Sequence, residues 1–386
     1  MKKVFIVICR AQEAEYLNVD KETLFFSALY EHTYRKFSDA IKSLGINCEI
    51  VRSAAYTLEG VSSELNCDLE DILIFTHPLA FLAKREDLES AIEFVTQNDL
   101  AYATLGSPRS LYATIGTGKM LSEETVASPY DFLTMISNCG ANCEYKSFSG
   151  EKATPDTKAE YTTRIERYRK EFLDYLCEGG VKIDVRDGVM ISPVATVGEG
   201  TVILPNTQIC GHSIIGKGCM IGPNSIVSGS IVCDNGVIDS SYVYASTIEK
   251  DVEVGPFCHI SEGCHLLTGT RVLSYTKLQG VTTGANTRVH EHCSIINTDI
   301  GARVTIGASV NTVNYDGRKV YECKIADGAF VGSGVNLVAP VTVSSGSYVA
   351  AGSTITDDVP AGALAIAREY QSNHENWAKR RKNKRG

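Results

Sequence analysis

From Ile325 to Ile355 an aliphatic side chain returns at every sixth position: Ile325, Val331, Leu337, Val343, Val349 and Ile355. Two residues ahead of several of these sits something small, Ala329, Ser347 or Ser353. A period of six fits neither the 3.6 of a helix nor the alternation of a half-buried strand. It fits a chain that runs straight, turns a corner and repeats, with one large aliphatic inward per rung and a small residue at each tight corner. Three rungs close a coil, and stacked coils bury one another's core. The same spacing joins Ile191, Val197, Ile203 and Ile209, then Ile215, Ile221 and Val227, then Ile248, Val254, Ile260, Leu266, Val272 and Leu278. Phase breaks are expected near Gly211, Val232 and Gly284. After Ile306 the chain leaves the repeat through SVNTVNYDGRKVYECK and re-enters at Ile325. Excursions of that size usually carry function. The pattern predicts a parallel β-helix of hexapeptide repeats.

Ahead of the repeat the pattern changes. The runs KKVFIVIC, NCEIVRS and DILIFTH read as strands, with helices predicted over residues 22–44 and 83–97, an α/β arrangement in three layers. The run YTTRIERYRKEFLDYL puts Ile165, Tyr168 and Phe172 on one helical face, as a linker helix would. The expected organisation is an α/β domain over 1–157, a linker helix over 158–180, the β-helix over 181–368 and a tail over 369–386. Lys379, Arg380, Arg381, Lys382, Lys384 and Arg385 make that tail basic, either a solvated end or an anion-binding arm.

Composition narrows the classes. A length of 386 residues suits two domains, and 33 glycines suit corner turns. The net charge of -9 argues against a nucleic-acid partner. Thirteen cysteines show no paired metal spacing, and Cys139 and Cys143 lack a matched histidine, so reduced thiols in a cytoplasmic protein are expected and no metal site. Nothing at the start reads as a signal peptide, and no apolar run is long enough to span a membrane.

NYDG at 314–317, then FVGS, NLVAPVTV, AAGSTITDDVP, GALAIAR and Trp377, resemble the bacterial bifunctional GlmU enzymes. The resemblance is densest from Val254 to Trp377. It implies a uridylyltransferase domain joined to a left-handed parallel β-helix that acetylates glucosamine-1-phosphate from acetyl-CoA. It also implies a homotrimer with the site in the groove between subunits, and a C-terminal segment that crosses to a neighbour. The N-terminal domain departs from the family. Where a Gly-rich loop should wrap nucleotide phosphates, CRAQEAEYLNVDKETL has no glycine and carries Glu13 and Glu15. Where an Asp should hold Mg2+, LIFTHPL offers His77, a poor ligand for that ion. The domain is also several dozen residues short. It reads as a truncated, nucleotidyltransferase-like relic, and neither uridylyl transfer nor Mg2+ is expected.

The β-helix keeps half of what the resemblance implies. The Arg and Lys that clamp the sugar phosphate fall on Ser261 and Gln279. The catalytic His falls on Glu291, and a Tyr and an Asn that touch the sugar fall on Ser294 and Thr305. Asn314 and Tyr315 are retained on the substrate side, and Ala308, Ser333, Ala351 and Arg368 on the coenzyme side; packing at coil corners accounts equally well for the three small ones. His290 and His292 flank Glu291, so the candidate catalytic set is Glu291, His290 and His292. In an extended strand Glu291 would point one way and both histidines the other. Two histidines at that spacing lack a third metal ligand. The expected function is acetyl-CoA-dependent N-acyl transfer to a sugar-like acceptor other than glucosamine-1-phosphate. The alternative is a non-catalytic paralogue that binds a nucleotide sugar or CoA, or a scaffold.

Overall fold

The computed structural model describes residues 3–8, 29–52, 70–77, 79–98, 101–107, 110–120, 128–138 and 144–377. The loop bearing Glu13 and Glu15, the start of the first helix, Cys139, Cys143 and the basic tail from residue 378 lie outside them. The chain divides near Gly179 and Gly180 into two compact units.

The N-terminal unit is a six-stranded mixed sheet with helices. Strands β1 (Lys3–Ile8), β2 (Glu49–Arg52), β3 (Ile72–Thr76), β4 (Ala101–Ser107), β5 (Ser110–Thr117) and β6 (Glu144–Phe148) stand in the order β2-β1-β3-β5-β4-β6. Only β5 runs against its neighbours, β3 and β4. β1 and β3 are apolar without alternation because almost every residue in both is buried, as a covered parallel sheet demands. Helices α1 (Leu29–Ser43), α2 (Arg85–Gln97) and α3 (Pro129–Asn138) pack on it.

Helix α4 (Lys158–Glu178) starts at Thr157, whose side chain accepts the Glu160 N–H. It belongs to this unit, burying Tyr161, Arg164, Tyr168, Phe172, Leu173 and Leu176. Ile165 is only half-buried, and Arg164 takes the inward place beside it. That is tolerated because the guanidinium donates to the Tyr112 hydroxyl, the Lys152 carbonyl and Glu160. Nearby, His32 is buried with Nδ1 3.0 Å from the Tyr168 hydroxyl. The Lys36 side chain is largely covered too, and donates to the carbonyls of Phe81 and Ala83 and to Glu171.

The second unit is a parallel β-solenoid of about ten turns over residues 190–365. One of its faces is a ten-stranded sheet of two-residue strands. Another, called here the first face, stacks Gln208–Cys210, Ile226–Ser228, Tyr242–Tyr244, His259–Ser261, Lys277–Thr283, Ser294–Ile300, Asn311–Val313 and Asn336–Val338 in parallel register. The aliphatic series forms the core, with Ile209, Ile221, Val227, Ile260, Leu278, Val331, Leu337 and Val343 fully sealed. No interruption occurs at Gly211, since Gln208 pairs with Ile226 a full eighteen residues on. The coil through Val232 is short, Ile226 pairing with Tyr242, and so is the coil through Gly284, Lys277 pairing with Ser294. The excursion is shorter than expected. Thr312 takes the aliphatic position, and the chain leaves only at Asn314, returning at Cys323–Ile325.

The small corner residues also knit the coils together. The Ser241 N–H donates to Ser225 Oγ at 3.1 Å, and the Cys258 N–H to Ser241 Oγ at 3.0 Å, so each hydroxyl satisfies the coil above it. The corner leading into the first face is left-handed in coil after coil: Asn206, Asn224, Phe257, Tyr275, His292 and Ser309 have φ between 52° and 60°. Among the described residues no helix is long and apolar enough to cross a membrane.

Candidate functional site

Most of the β-helix residues singled out from the sequence fall along the two edges of the first face. On the trailing edge Ser261, Gln279 and Asn314 sit at or beside the corner, each in a successively higher coil. Gln279 Nε2 donates to Glu262 Oε2 at 2.7 Å, so this edge presents a neutral amide tied to a carboxylate. Asn314 opens the excursion. Its side chain is 6% exposed, and Nδ2 donates to the Tyr321 carbonyl at 2.8 Å, closing the neck of the loop. That carbonyl needs a donor, which fixes the amide's orientation. Oδ1 is thereby left buried with no hydrogen-bond partner among the described residues. Tyr315 turns outward. Asp316 accepts from the N–H groups of Arg318 and Lys319, each at 2.7 Å, and from the Tyr321 hydroxyl. These donors, the Lys319 N–H first, hold its carboxyl below the usual range, and they make it a turn-former.

The leading edge carries Glu291 and its flanking histidines. The alternation expected of HEH does not hold, because the tripeptide turns the corner. His290 Nδ1 lies 3.6 Å from Glu291 Oε2, on the same side. His292, at φ 60°, leaves them and stacks on Tyr275. One coil up, Ala308, Ser333 and Ala351 follow one another, the Gly334 N–H donating to the Ala308 carbonyl and the Gly352 N–H to that of Ser333. Their coils approach closely: a Cβ on Gly307 would lie 2.6 Å from the Ser333 nitrogen, and one on Gly332 2.6 Å from that of Ala351. The N–H groups of Ala308, Ser333 and Ala351 donate to no acceptor among the described residues. They form a file of donors one coil apart. Arg368 is exposed beyond the last strand, Leu364–Ala365.

Between the edges runs the centre of the face, with Tyr242, His259, Lys277, Ser294 and Asn311 in register. The sequence reading passed over Tyr242, Tyr244 and His259, whose signal was an aromatic on either side of the inward Val243. Thr305 lies on the ten-stranded face, paired with Phe330. In the N-terminal unit His77 follows β3. Its Nδ1 accepts the Leu79 N–H at 3.1 Å, and burial pushes its pKa down to about 4, so it is a neutral imidazole acting as a local cap. Among the described residues no three His, Cys, Asp or Glu side chains converge as a metal site.

Coils of this period, with small residues at the corners, define a hexapeptide-repeat protein, and the family model described as Bacterial transferase hexapeptide (six repeats) matches residues 194–229. Over about half its length the chain fits the GlmU family. It is 43% identical over 212 residues to the bifunctional protein GlmU of Exiguobacterium sp., covering 55% of this chain and 47% of that one. Against GlmU of Geobacillus sp. it is 42% identical over 223 residues, covering 58% and 48%. Against GlmU of Thermodesulfovibrio yellowstonii it is 34% identical over 255 residues, covering 65% and 56%. The chain spans about half the length of the curated relatives it matches.

Proposed function

We propose that the solenoid transfers an acetyl group from acetyl-CoA to an amine on a sugar-like acceptor, and that the N-terminal unit no longer transfers uridylyl groups. The observation that carries this reading is Asn314 Oδ1. A buried amide oxygen without a donor costs stability, about 1–3 kcal/mol, unless a ligand N–H or O–H arrives to meet it. The retained residues agree: the file of N–H donors at Ala308, Ser333 and Ala351 fits the amide carbonyls of a pantetheine arm, and exposed Arg368 fits its phosphates. In this reading Asn314 orients the acceptor amine by accepting a hydrogen bond from one N–H, which stays on the nitrogen. The amine nitrogen attacks the thioester carbonyl while the His290–Glu291 pair takes the other proton. The tetrahedral intermediate then collapses, the C–S bond breaks, and the same pair returns the proton to the departing thiolate. Ser261 and Gln279 supply no cation, which disfavours a phosphorylated acceptor. Because the donor file and Asn314 stand on opposite edges of one face, we also propose that the working site forms between copies, in a homotrimer.

The competing reading is a binder of CoA or a nucleotide sugar that turns nothing over; the presence of Glu291 at the position of the family's base favours it. Thermal-shift titration with acetyl-CoA, followed by a thiol-release assay with glucosamine and other amino sugars, separates the two. Acyl transfer predicts stabilisation and acceptor-dependent release of free CoA. Stabilisation without release supports the binder, and no stabilisation by acetyl-CoA overturns transfer and CoA binding alike, leaving a nucleotide-sugar binder, which titration with a UDP-sugar tests.

A further inference from the structure

We propose that Tyr242, Tyr244 and His259 form a ring-lined subsite for a distal sugar unit, so that the acceptor is an oligosaccharide of about four units. This rests on the acyltransfer reading and extends it along the same face. The three rings make one cluster on the outward side of two adjacent coils. Tyr244 and His259 stack at 5.8 Å and 30°, Tyr242 and Tyr244 lie 6.5 Å apart at 30°, and Tyr242 and His259 lie 6.4 Å apart at 59°. Tyr242 is 44% exposed and Tyr244 36%, so the cluster is a surface and not part of the core.

Sheet stabilisation accounts for only part of it. Tyr242 and His259 are direct neighbours in register, and a cross-strand aromatic pair contributes by itself. Tyr244 lies at the trailing edge, in the column that holds Cys210, Ser228, Ser261, Gln279 and Ile296 in other coils, none of them aromatic. The polar atoms of the cluster are also unspent: neither phenolic hydroxyl nor either nitrogen of His259 hydrogen-bonds another described residue. An amphipathic ring with a free hydroxyl suits a ligand that is apolar on its C–H face and polar at its rim. A pyranose has that character.

Position selects the same class. Ser261 lies one coil above Tyr244, Gln279 two and Asn314 four. With strands about 4.8 Å apart, the rings begin roughly 19 Å below the orphaned oxygen of Asn314. One pyranose is about one coil spacing across, so a chain of about four units spans the distance and a disaccharide does not. The stretch between carries Ser261, Gln279 held to Glu262, Ser294 and Asn311, with Ile296 and Lys277 among them. Hydroxyl and amide groups set beside an apolar residue suit a neutral sugar chain.

The test uses the full chain with glucosamine, its disaccharides and a panel of differently linked glucosamine tetrasaccharides and pentasaccharides, by calorimetry. The expected result is at least tenfold tighter binding of one tetrasaccharide or pentasaccharide than of glucosamine or the disaccharides. Tyr244→Ala and Tyr242→Ala should remove that gain while leaving acetyl-CoA affinity unchanged, and Tyr244→Phe should retain part of it. Equal binding of mono- and oligosaccharides, an undiminished gain in both alanine variants, or no saccharide binding at all would overturn the subsite. A lower mass for Tyr244→Ala by light scattering would also overturn it, since the rings would then serve contact between copies. The two readings fail separately. Acyl transfer to the tetrasaccharide at equal rates in wild type and ring variants sinks the subsite alone. A ring-dependent gain without any CoA release sinks the transfer alone.

Discussion

The rings of Tyr275 and His292 lie 5.1 Å apart with 2° between their planes, one coil above the other at the leading corner. Phe257 extends the stack downward, 5.1 Å from Tyr275 at 25°. All three hold φ near 60°, a conformation that costs a residue with a bulky side chain on the order of 1–2 kcal/mol. Stacking returns about 0.5–1.5 kcal/mol per pair, which explains why the coil tolerates rings where other coils use Asn or Gly. Tyr275→Asn, which loses the ring but suits this backbone, should therefore cost less than Tyr275→Val, which loses the ring and resists it. A gap of about 1 kcal/mol in urea unfolding is expected. Equal losses would show that backbone strain plays no part.

Glu171 neutralises a cation that is otherwise sealed. Lys36 Nζ lies 2.8 Å from Glu171 Oε2, and burial lowers the ammonium's pKa against the pull of that carboxylate. Removing one partner of a buried pair strands the other, at a cost of about 3–5 kcal/mol. Glu171→Gln should destabilise the N-terminal unit by that order at pH 7. The urea midpoint of the unit is the readout, and a change under 1 kcal/mol would mean that the two carbonyl acceptors of Lys36 suffice.

The same unit should weaken in mild acid. Burial holds His32 down to about 3 and His77 to about 4, against 6.5 when unfolded. Below 6.5 the unfolded chain therefore binds protons that the native state refuses. The stability these neutral rings contribute is complete above pH 6.5 and falls as pH drops toward their folded values. The slope is about 1.4 kcal/mol per pH unit for each histidine, roughly 2 kcal/mol each by pH 5. Hydrogen exchange in β1 and β3 between pH 5 and 7.5 measures it. His32→Asn should lower stability at pH 7.5 yet flatten the slope by one proton; an unchanged slope would show that His32 does not titrate in the unfolded chain alone.

Repetition made the solenoid readable. Each coil restates one rule, so Ile260 or Leu337 is identified by its neighbours six residues away. The rule fails where polarity hides a rung, as at Thr312, which is buried in an aliphatic position yet reads as the start of the loop. The N-terminal unit has no such redundancy. The β4–β5 hairpin went unseen because AYATLGS and SLYATIGT dilute their Leu, Tyr and Ile with Ala, Thr, Ser and Gly, whose burial comes from their place inside the sheet. In α4 a hydrophobic stripe selected Ile165, while Arg164 was buried by partners 52 and 12 residues distant. The site was legible as residue types but not as geometry. No spacing rule says that Asn314 spends its amide nitrogen on Tyr321, and strand alternation misplaced the HEH tripeptide because His292 sits in a left-handed corner.

Arg368 offers the cleanest separation of a ligand contact from a packing role. It is exposed beyond the last strand, so Arg368→Ala should leave the urea midpoint unchanged. If its guanidinium meets the coenzyme phosphates, the substitution removes a charge-assisted contact of about 1.5–3 kcal/mol. The Kd for acetyl-CoA should then rise roughly ten- to hundredfold. The difference between wild type and variant should narrow as salt increases, because an exposed pair is screened within about 10 Å at 0.1 M. Glu291→Gln tests the other end of the file. It should leave acetyl-CoA affinity as it is and reduce turnover by about a hundredfold or more, the usual contribution of proton transfer to a positioned base. Calorimetry on both variants, with thiol release measured for the second, decides the matter. Wild-type affinity in Arg368→Ala would remove the coenzyme from this end of the solenoid, and full turnover in Glu291→Gln would leave His290 as the base without its carboxylate.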